Sequence, residues 1–193
     1  MIDLPNNQKG TLTTLLMNPA NTFPADIAKT KGKKARFDQT IRNLIVLANA
    51  IGYKQIIVLN TFPYIEGSSE KANDYYDCNI NSEKFKTNKN LNRFFIEEIL
   101  NNCDEILVAC GDIKNDLYKE YFSIINKAKE NIKIYTYAKN DVENCSALTK
   151  KGRPRHLSLQ SSENKIQYEK ALLDKELCKI KIVDDSYFKI KSE

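Results

Sequence analysis

The sequence predicts an α/β fold: three layers, α/β/α, around a mainly parallel central sheet, followed by a C-terminal helix and hairpin. Three observations predict it. Short β-rich apolar runs alternate along the chain with longer stretches of helical periodicity. The apolar runs are short and continuous, as strands covered on both faces are. The length, 193 residues, suits one domain, with a core over residues 11–160 and an appendage over 161–193.

The elements follow in order. Leu12–Met17, Ile56–Leu59, Ile106–Ala109 and Ile132–Tyr137 read as buried strands. Between the first two, Asp38 is placed to cap a helix that turns Ile41, Leu44, Ile45, Ala48 and Ile51 to one side, and Gly52 stops it. A second helix fits Asn90–Leu100, with Leu91, Phe94, Phe95 and Ile99 inward. A third fits Asp116–Ala128, through Leu117, Tyr121, Ile124, Ile125 and Ala128. Residues 61–87 form a long polar stretch, of the length that functional or mobile loops have. Past residue 160, Ser162–Leu177 reads as a helix, and Lys179–Val183 and Tyr187–Ile190 as a hairpin about Asp184-Asp185-Ser186.

Composition excludes several classes. Hydrophobic residues at 41% and charged residues at 28% match a globular chain rather than a disordered one. No apolar run reaches the roughly 18 residues of a membrane span, and the first residues lack a signal segment. Five Cys leave one over in any pairing and form no C-x-x-C, so free thiols, no metal and a cytoplasmic location are expected. The whole net charge of +5 falls before residue 161. Lys29, Lys31, Lys33, Lys34 and Arg36 crowd into eight residues, either a solvated loop or a grip on a phosphate backbone.

In an open parallel sheet, ligands bind beyond the carboxyl ends of the strands, so the strand-terminal residues are the ones to read. They are Asn18-Pro19, Asn60-Thr61-Phe62, Cys110-Gly111 and, after the fourth strand, Arg153-Pro154-Arg155-His156. Two Asn, a Gly and the only His of the chain are thus expected along one edge. No G-x-x-x-x-G-K-[ST], G-x-G-x-x-G or G-x-S-x-G occurs, which removes the signatures of nucleotide hydrolysis, dinucleotide binding and serine hydrolysis.

These segments, taken in order, resemble the motifs of the uracil-DNA glycosylase superfamily. Leu16-Met17-Asn18-Pro19 is similar to its Gly-x-Asp/Asn-Pro motif, Leu59-Asn60-Thr61 to the strand whose terminal Asn reads the base, and His156-Leu157-Ser158 to its late His-Pro-Ser. A nearer likeness, over about residues 11–160, is to the domain of unknown function 1643 family of bacteria. Asn18-Pro19, Asp38-Gln39-Thr40-Ile41-Arg42, Leu59-Asn60-Thr61-Phe62 and Gly152-Arg153-Pro154-Arg155-His156 carry it.

The glycosylase resemblance implies a monofunctional DNA N-glycosylase without a cofactor that hydrolyses a flipped uracil-like or modified base from DNA. Asn18 would hold the water and His156 would donate to the departing base. Asp38 would activate water or steady the cationic sugar, or serve only as a helix cap. Asn60 would pair with the base, beside Pro19 and Gly111, and Phe62 or Phe23 would stack on it or belong to the core. Lys31, Lys33, Lys34, Arg36, Arg153 and Arg155 would hold phosphates. Asn18 stands where the most efficient uracil glycosylases have Asp, and Leu157 where the motif has Pro. Repair or defence against phages with modified DNA would follow, for a monomer that binds DNA and no membrane. The alternatives are a catalytically silent nucleic-acid-binding module and a hydrolase of free modified nucleosides.

Overall fold

The structure is a computed structural model and describes residues 1–18, 38–64, 68–128, 132–137, 149, 153–157 and 180–182. Among these, six strands and four helices follow in the order β1 (Ile2–Asp3), β2 (Lys9–Leu16), α1 (Gln39–Ile51), β3 (Tyr53–Asn60), α2 (Ser69–Asn79), α3 (Glu83–Asn101), β4 (Glu105–Val108), α4 (Asn115–Ala128), β5 (Lys133–Tyr137) and β6 (Ile180–Ile182). The strands lie side by side as β1-β3-β2-β4-β5-β6.

The expectation of a mainly parallel sheet needs correction: the sheet is mixed. Its middle strands, β3, β2, β4 and β5, are parallel, but both edges are antiparallel, with Ile2 opposite Ile56 and Tyr135 opposite Ile182. Neither edge strand belongs to the series of four buried runs from which a parallel sheet is expected. β1 is only two residues long, too short to leave a periodic signal. β6 comes from the first arm of the expected C-terminal hairpin and joins the central sheet. The second arm and the helix expected over Ser162–Leu177 lie outside the described residues.

The chain leaves β2 toward β3 on one side and returns past it to β4 on the other. Right-handed crossovers in opposite directions must put their helices on opposite faces. The two cores show this division. Ile41, Leu44, Leu47 and Ala48 of α1 pack on Leu12, Leu16, Ile56, Leu107 and Ala109. On the other face, Leu15, Leu59, Ile106, Val108 and Ile134 meet Tyr76 of α2, Phe85, Ile96 and Leu100 of α3, and Leu117, Tyr121, Phe122 and Ile125 of α4. Neighbouring strand residues thus serve opposite cores, as the pleat requires.

α1 forms as its sequence predicts: Asp38 Oδ1 accepts the Ile41 N–H at 2.9 Å, and Gly52 closes the helix at φ 95°. Two other expectations are overturned. The polar stretch over residues 61–87 contains α2 and the start of α3, each capped by a serine, Ser68 and Ser82, whose hydroxyls accept from Lys71 N and Phe85 N. The buried apolar residues of its helical part are only Ala72, Tyr76 and Phe85, too few to mark a helical period. In α3, moreover, Leu91, Phe94 and Phe95 face outward, at 51%, 55% and 60% exposure. The inward face is Phe85, Ile96 and Leu100, with a polar residue, Asn92, among them. Asn92 is accommodated because its amide donates to the Asn60 carbonyl at 2.8 Å and to the Tyr121 hydroxyl at 2.9 Å.

Candidate active site

The point at which the strand order reverses lies between β2 and β4. There the connections leave in opposite directions and open a crevice. Register fixes what stands at its rim. Leu16 is opposite Asn60, Leu15 is opposite Val108, and the Ala109 N–H donates to the Leu15 carbonyl at 2.9 Å. Adjacent strands are about 4.8 Å apart. Asn18 stands two residues past Leu16, so the same register carried on puts it level with Phe62 on the β3 side and with Gly111 on the β4 side, while Asn60 holds the last paired position of β3.

Thr61 and Phe62 tie the first two of these ends together. Thr61 N donates to the Leu16 carbonyl at 2.9 Å, Phe62 N to Met17 at 2.8 Å, and Thr61 Oγ1 to Met17 at 2.8 Å. Thr61 is fully buried, so its hydroxyl serves the backbone that leads into Asn18. Of the two roles open to Phe62, the structure shows the core. Phe62 is 2% exposed and packs in an aromatic cluster with Tyr64, Tyr75 and Phe85.

His156 reaches the same edge through two anchors. On one side of it, the Gly111 N–H donates to the Pro154 carbonyl at 3.0 Å. On the other, the buried Asn43 amide of α1 donates to the Leu157 carbonyl at 2.7 Å, with Asn43 itself held by Gln39 at 2.8 Å. Leu157 fills the core under α1. Gly111 adopts φ 65°, and a Cβ there would come within 3.0 Å of the His156 Cβ. This position therefore requires glycine twice over, for its left-handed backbone and for the imidazole laid against it.

The electrostatics single out the imidazole. Burial lowers the pKa of His156 below the ordinary 6.5, and the nearby Asp38 carboxylate opposes that shift without cancelling it. At neutral pH the ring is uncharged, with one N–H to give and one lone pair to accept. Asp38 is thus both the cap of α1 and an electrostatic neighbour of His156. Asn60 supplies the other anomaly. Its Oδ1 is buried and meets no hydrogen-bond donor among the described residues. Strand alternation from Ile56 and Val58 puts Asn60 on the α1 side of the sheet, the side on which Leu157, the residue after His156, is buried and which Asp38 borders as the cap of α1.

The remaining candidates divide. Arg153 is buried, donates to the Ile113 carbonyl and stacks at 4.7 Å from the Tyr118 ring, so its guanidinium braces the His156 loop from inside. Arg155 is half-buried. Pro19, Phe23, Lys31, Lys33, Lys34 and Arg36 lie outside the described residues. Cys110 points into the opposite core, where burial pushes its thiol up to about 12, far from a nucleophile's range. Among the described residues no cluster of His, Cys, Asp or Glu is placed to hold a metal ion, and no helix is long and apolar enough to cross a membrane. The sequence reading missed Asn43 and Thr61. An Asn on the apolar side of a helix is the signal that pointed to the first.

A family model described as a protein of unknown function, DUF1643, matches residues 5–156. The chain belongs to that family. The match to the DUF1643 model ends at His156 and encloses Asn18, Asp38, Asn60 and Gly111. No curated protein and no solved structure matches the chain.

Proposed function

We propose that this DUF1643 protein is a DNA glycosylase, hydrolysing the bond between the sugar and a flipped uracil-like or modified base to leave an abasic site. The observation that carries the reading is the buried Oδ1 of Asn60, which meets no donor among the described residues, at the sheet edge that also carries a neutral His156. A buried acceptor left unpaired costs about 1–3 kcal/mol. That cost makes sense where a ligand N–H completes the bond. An amide presents an acceptor and a donor together, the pattern that pairs with the hydrogen-bonding edge of a nucleobase.

The chemistry asks little more of the residues. As the C1′–N bond breaks, positive charge grows on the sugar and negative charge on the departing base. His156 donates its N–H to a base oxygen as that charge develops. The amino end of α1 adds its partial positive charge on the same side. Asn18 orients the water that attacks C1′. The water oxygen becomes the sugar hydroxyl, and one water proton ends on the released base. The Asp38 carboxylate, whose charge is felt at His156, would stabilise the cationic sugar. The neighbouring motifs of uracil-DNA glycosylases resemble this set of residue types, with Asn18 in place of an activating Asp, which suits a slower or differently directed enzyme.

A second reading, hydrolysis of free modified nucleosides, is favoured by one observation. Arg153 is committed to the interior, which reduces the cationic side chains of this motif available for a phosphate backbone to Arg155. One experiment separates the readings. The protein is incubated with genomic DNAs carrying different base modifications, and in parallel with the corresponding nucleosides, and released bases and abasic sites are quantified. Free base together with abasic DNA is the expected result. Release from nucleosides alone selects the second reading, and release from neither sinks both.

A further inference from the structure

The outward face of α3 is a second feature of the molecule, independent of the proposed activity. Lys84, Thr87, Leu91, Phe94, Glu98 and Asn101 are all exposed and follow one another at alternating intervals of three and four residues, the spacing of a helix-pairing seam. Leu91, Phe94 and Phe95 form its apolar centre, more than half exposed, with the two rings in edge contact at 5.8 Å. Scattered exposed apolar residues need no explanation, but three together on one stripe do.

The charges on this helix say what covers it. Most are neutralised within the chain: Glu83 pairs with Lys86, Lys89 with Glu120, and Arg93 with Glu97. Lys84 and Glu98 take part in no ion pair among the described residues. They stand on the seam seven residues to either side of Leu91. A helix whose free cation and free anion are symmetric about an apolar centre is complementary to itself run backwards. Its two unpaired charges cancel, so the seam carries no excess of unpaired positive charge for a nucleic acid.

We infer that α3 is a self-association surface, on which two copies of this chain pair antiparallel about a twofold axis at Leu91. In that register Lys84 of each copy faces Glu98 of the other, and Phe95 lies over Thr87, a small residue that leaves room for the ring. An isologous contact of this kind closes on itself and stops at the dimer. The helix is about 28 Å long. Its face alone buries less than a standard interface, so the dimer forms in the micromolar range and not the nanomolar.

Sedimentation velocity on the full chain, across a concentration series from about 1 to 300 μM, tests this. The wild type is expected to pass from monomer to dimer, and Phe95→Glu to stay monomeric with unchanged circular dichroism and melting temperature. Lys84→Glu and Glu98→Lys are each expected to weaken the dimer about tenfold, because each places two like-charged pairs across the axis. The double variant Lys84→Glu/Glu98→Lys restores the opposed charges and returns the affinity to near the wild-type value. A wild type that remains monomeric throughout overturns the proposal, as does a dimer that persists in Phe95→Glu. A double variant no tighter than the single ones overturns the antiparallel register.

Discussion

The two ends of the parallel strands are built on opposite principles. At the amino end, the first residues of β2, β3, β4 and β5 are Lys9, Tyr53, Glu105 and Lys133, and they form a continuous row. Lys9 donates to the Tyr53 hydroxyl at 2.7 Å, Tyr53 donates to Glu105, and Lys9 and Lys133 pair with Glu105 at 3.1 and 4.0 Å. Burial acts to raise the Glu105 pKa, but the bonds from Tyr53 and Lys9 outweigh it, so the carboxyl titrates below its ordinary range. Every partner there comes from the chain itself. At the carboxyl end, a carboxamide oxygen is buried without a donor among the described residues, and an imidazole is desolvated into neutrality. One end commits its polar groups to holding four strands in register, and the other combines structural bonds, such as those of Thr61 and Asn43, with one unmatched buried acceptor.

The sharpest way to break this comparison is to disarm one residue at each end. His156→Ala and Asn18→Ala should each lower base release by about a hundredfold or more, with little change in melting temperature. Tyr53→Phe should do the reverse, lowering stability by about 1.5–3 kcal/mol through the loss of a hydrogen bond to a charged group, with turnover unchanged. Chemical denaturation and an excision assay on the same three variants decide the matter. Loss of both properties in either group would mean that the two ends are not functionally separate.

Gly111→Ala should fall between these extremes. The left-handed backbone and the 3.0 Å approach to His156 Cβ both resist a methyl group. A stability loss of about 1–3 kcal/mol is expected, together with reduced turnover as the imidazole is pushed from its seat. Full turnover at reduced stability would show that the placement of His156 does not matter to the chemistry.

Much of the fold was legible in the sequence. α1 and α4 each carry one apolar stripe with clean ends, and their inward residues lie where the period puts them. α3 carries two apolar stripes, and the sequence gives no reason to prefer Phe85, Ile96 and Leu100 over Leu91, Phe94 and Phe95. The choice is made by Asn92, whose bonds to Asn60 and Tyr121 exist only once β3 and α4 are in place. The candidate site was legible for a topological reason: strand ends can be read without knowing the strand order. Arg153 was not, because a guanidinium buried against Tyr118 has the same letter as one reaching for phosphate. The amino-end row was equally hidden, since Lys9 and Glu105 are 96 positions apart and only register makes them neighbours.

The two ends should also titrate separately. The pKa of His156 is depressed in the folded state, so the unfolded chain binds its proton more readily. Stability is then fully present above about pH 6.5 and declines as the pH falls toward the folded value, by at most about 1.4 kcal/mol per pH unit. The depressed Glu105 contributes in the same direction but lower, its stabilisation being lost as the pH falls below the ordinary carboxylate range near 4.5. Denaturation midpoints measured from pH 8 to pH 3 should show two declines. His156→Ala should remove the upper one and Glu105→Gln the lower. If His156→Ala leaves the upper decline intact, the imidazole is not the desolvated group.

The smallest expected effect on stability bears most directly on what the carboxyl end is for. Asn60→Leu replaces the amide that carries the unmatched oxygen by an apolar side chain of similar size, which should leave stability unchanged or raise it by about 1 kcal/mol. The same change should end base release, since the group that pairs with the base is gone. A side chain that a fold would be steadier without, and an activity cannot do without, is one held for a ligand. Should Asn60→Leu instead cost stability, the buried oxygen has a structural partner such as an ordered water, and Asn60 belongs with Thr61 and Asn43 among the residues that build the edge rather than use it.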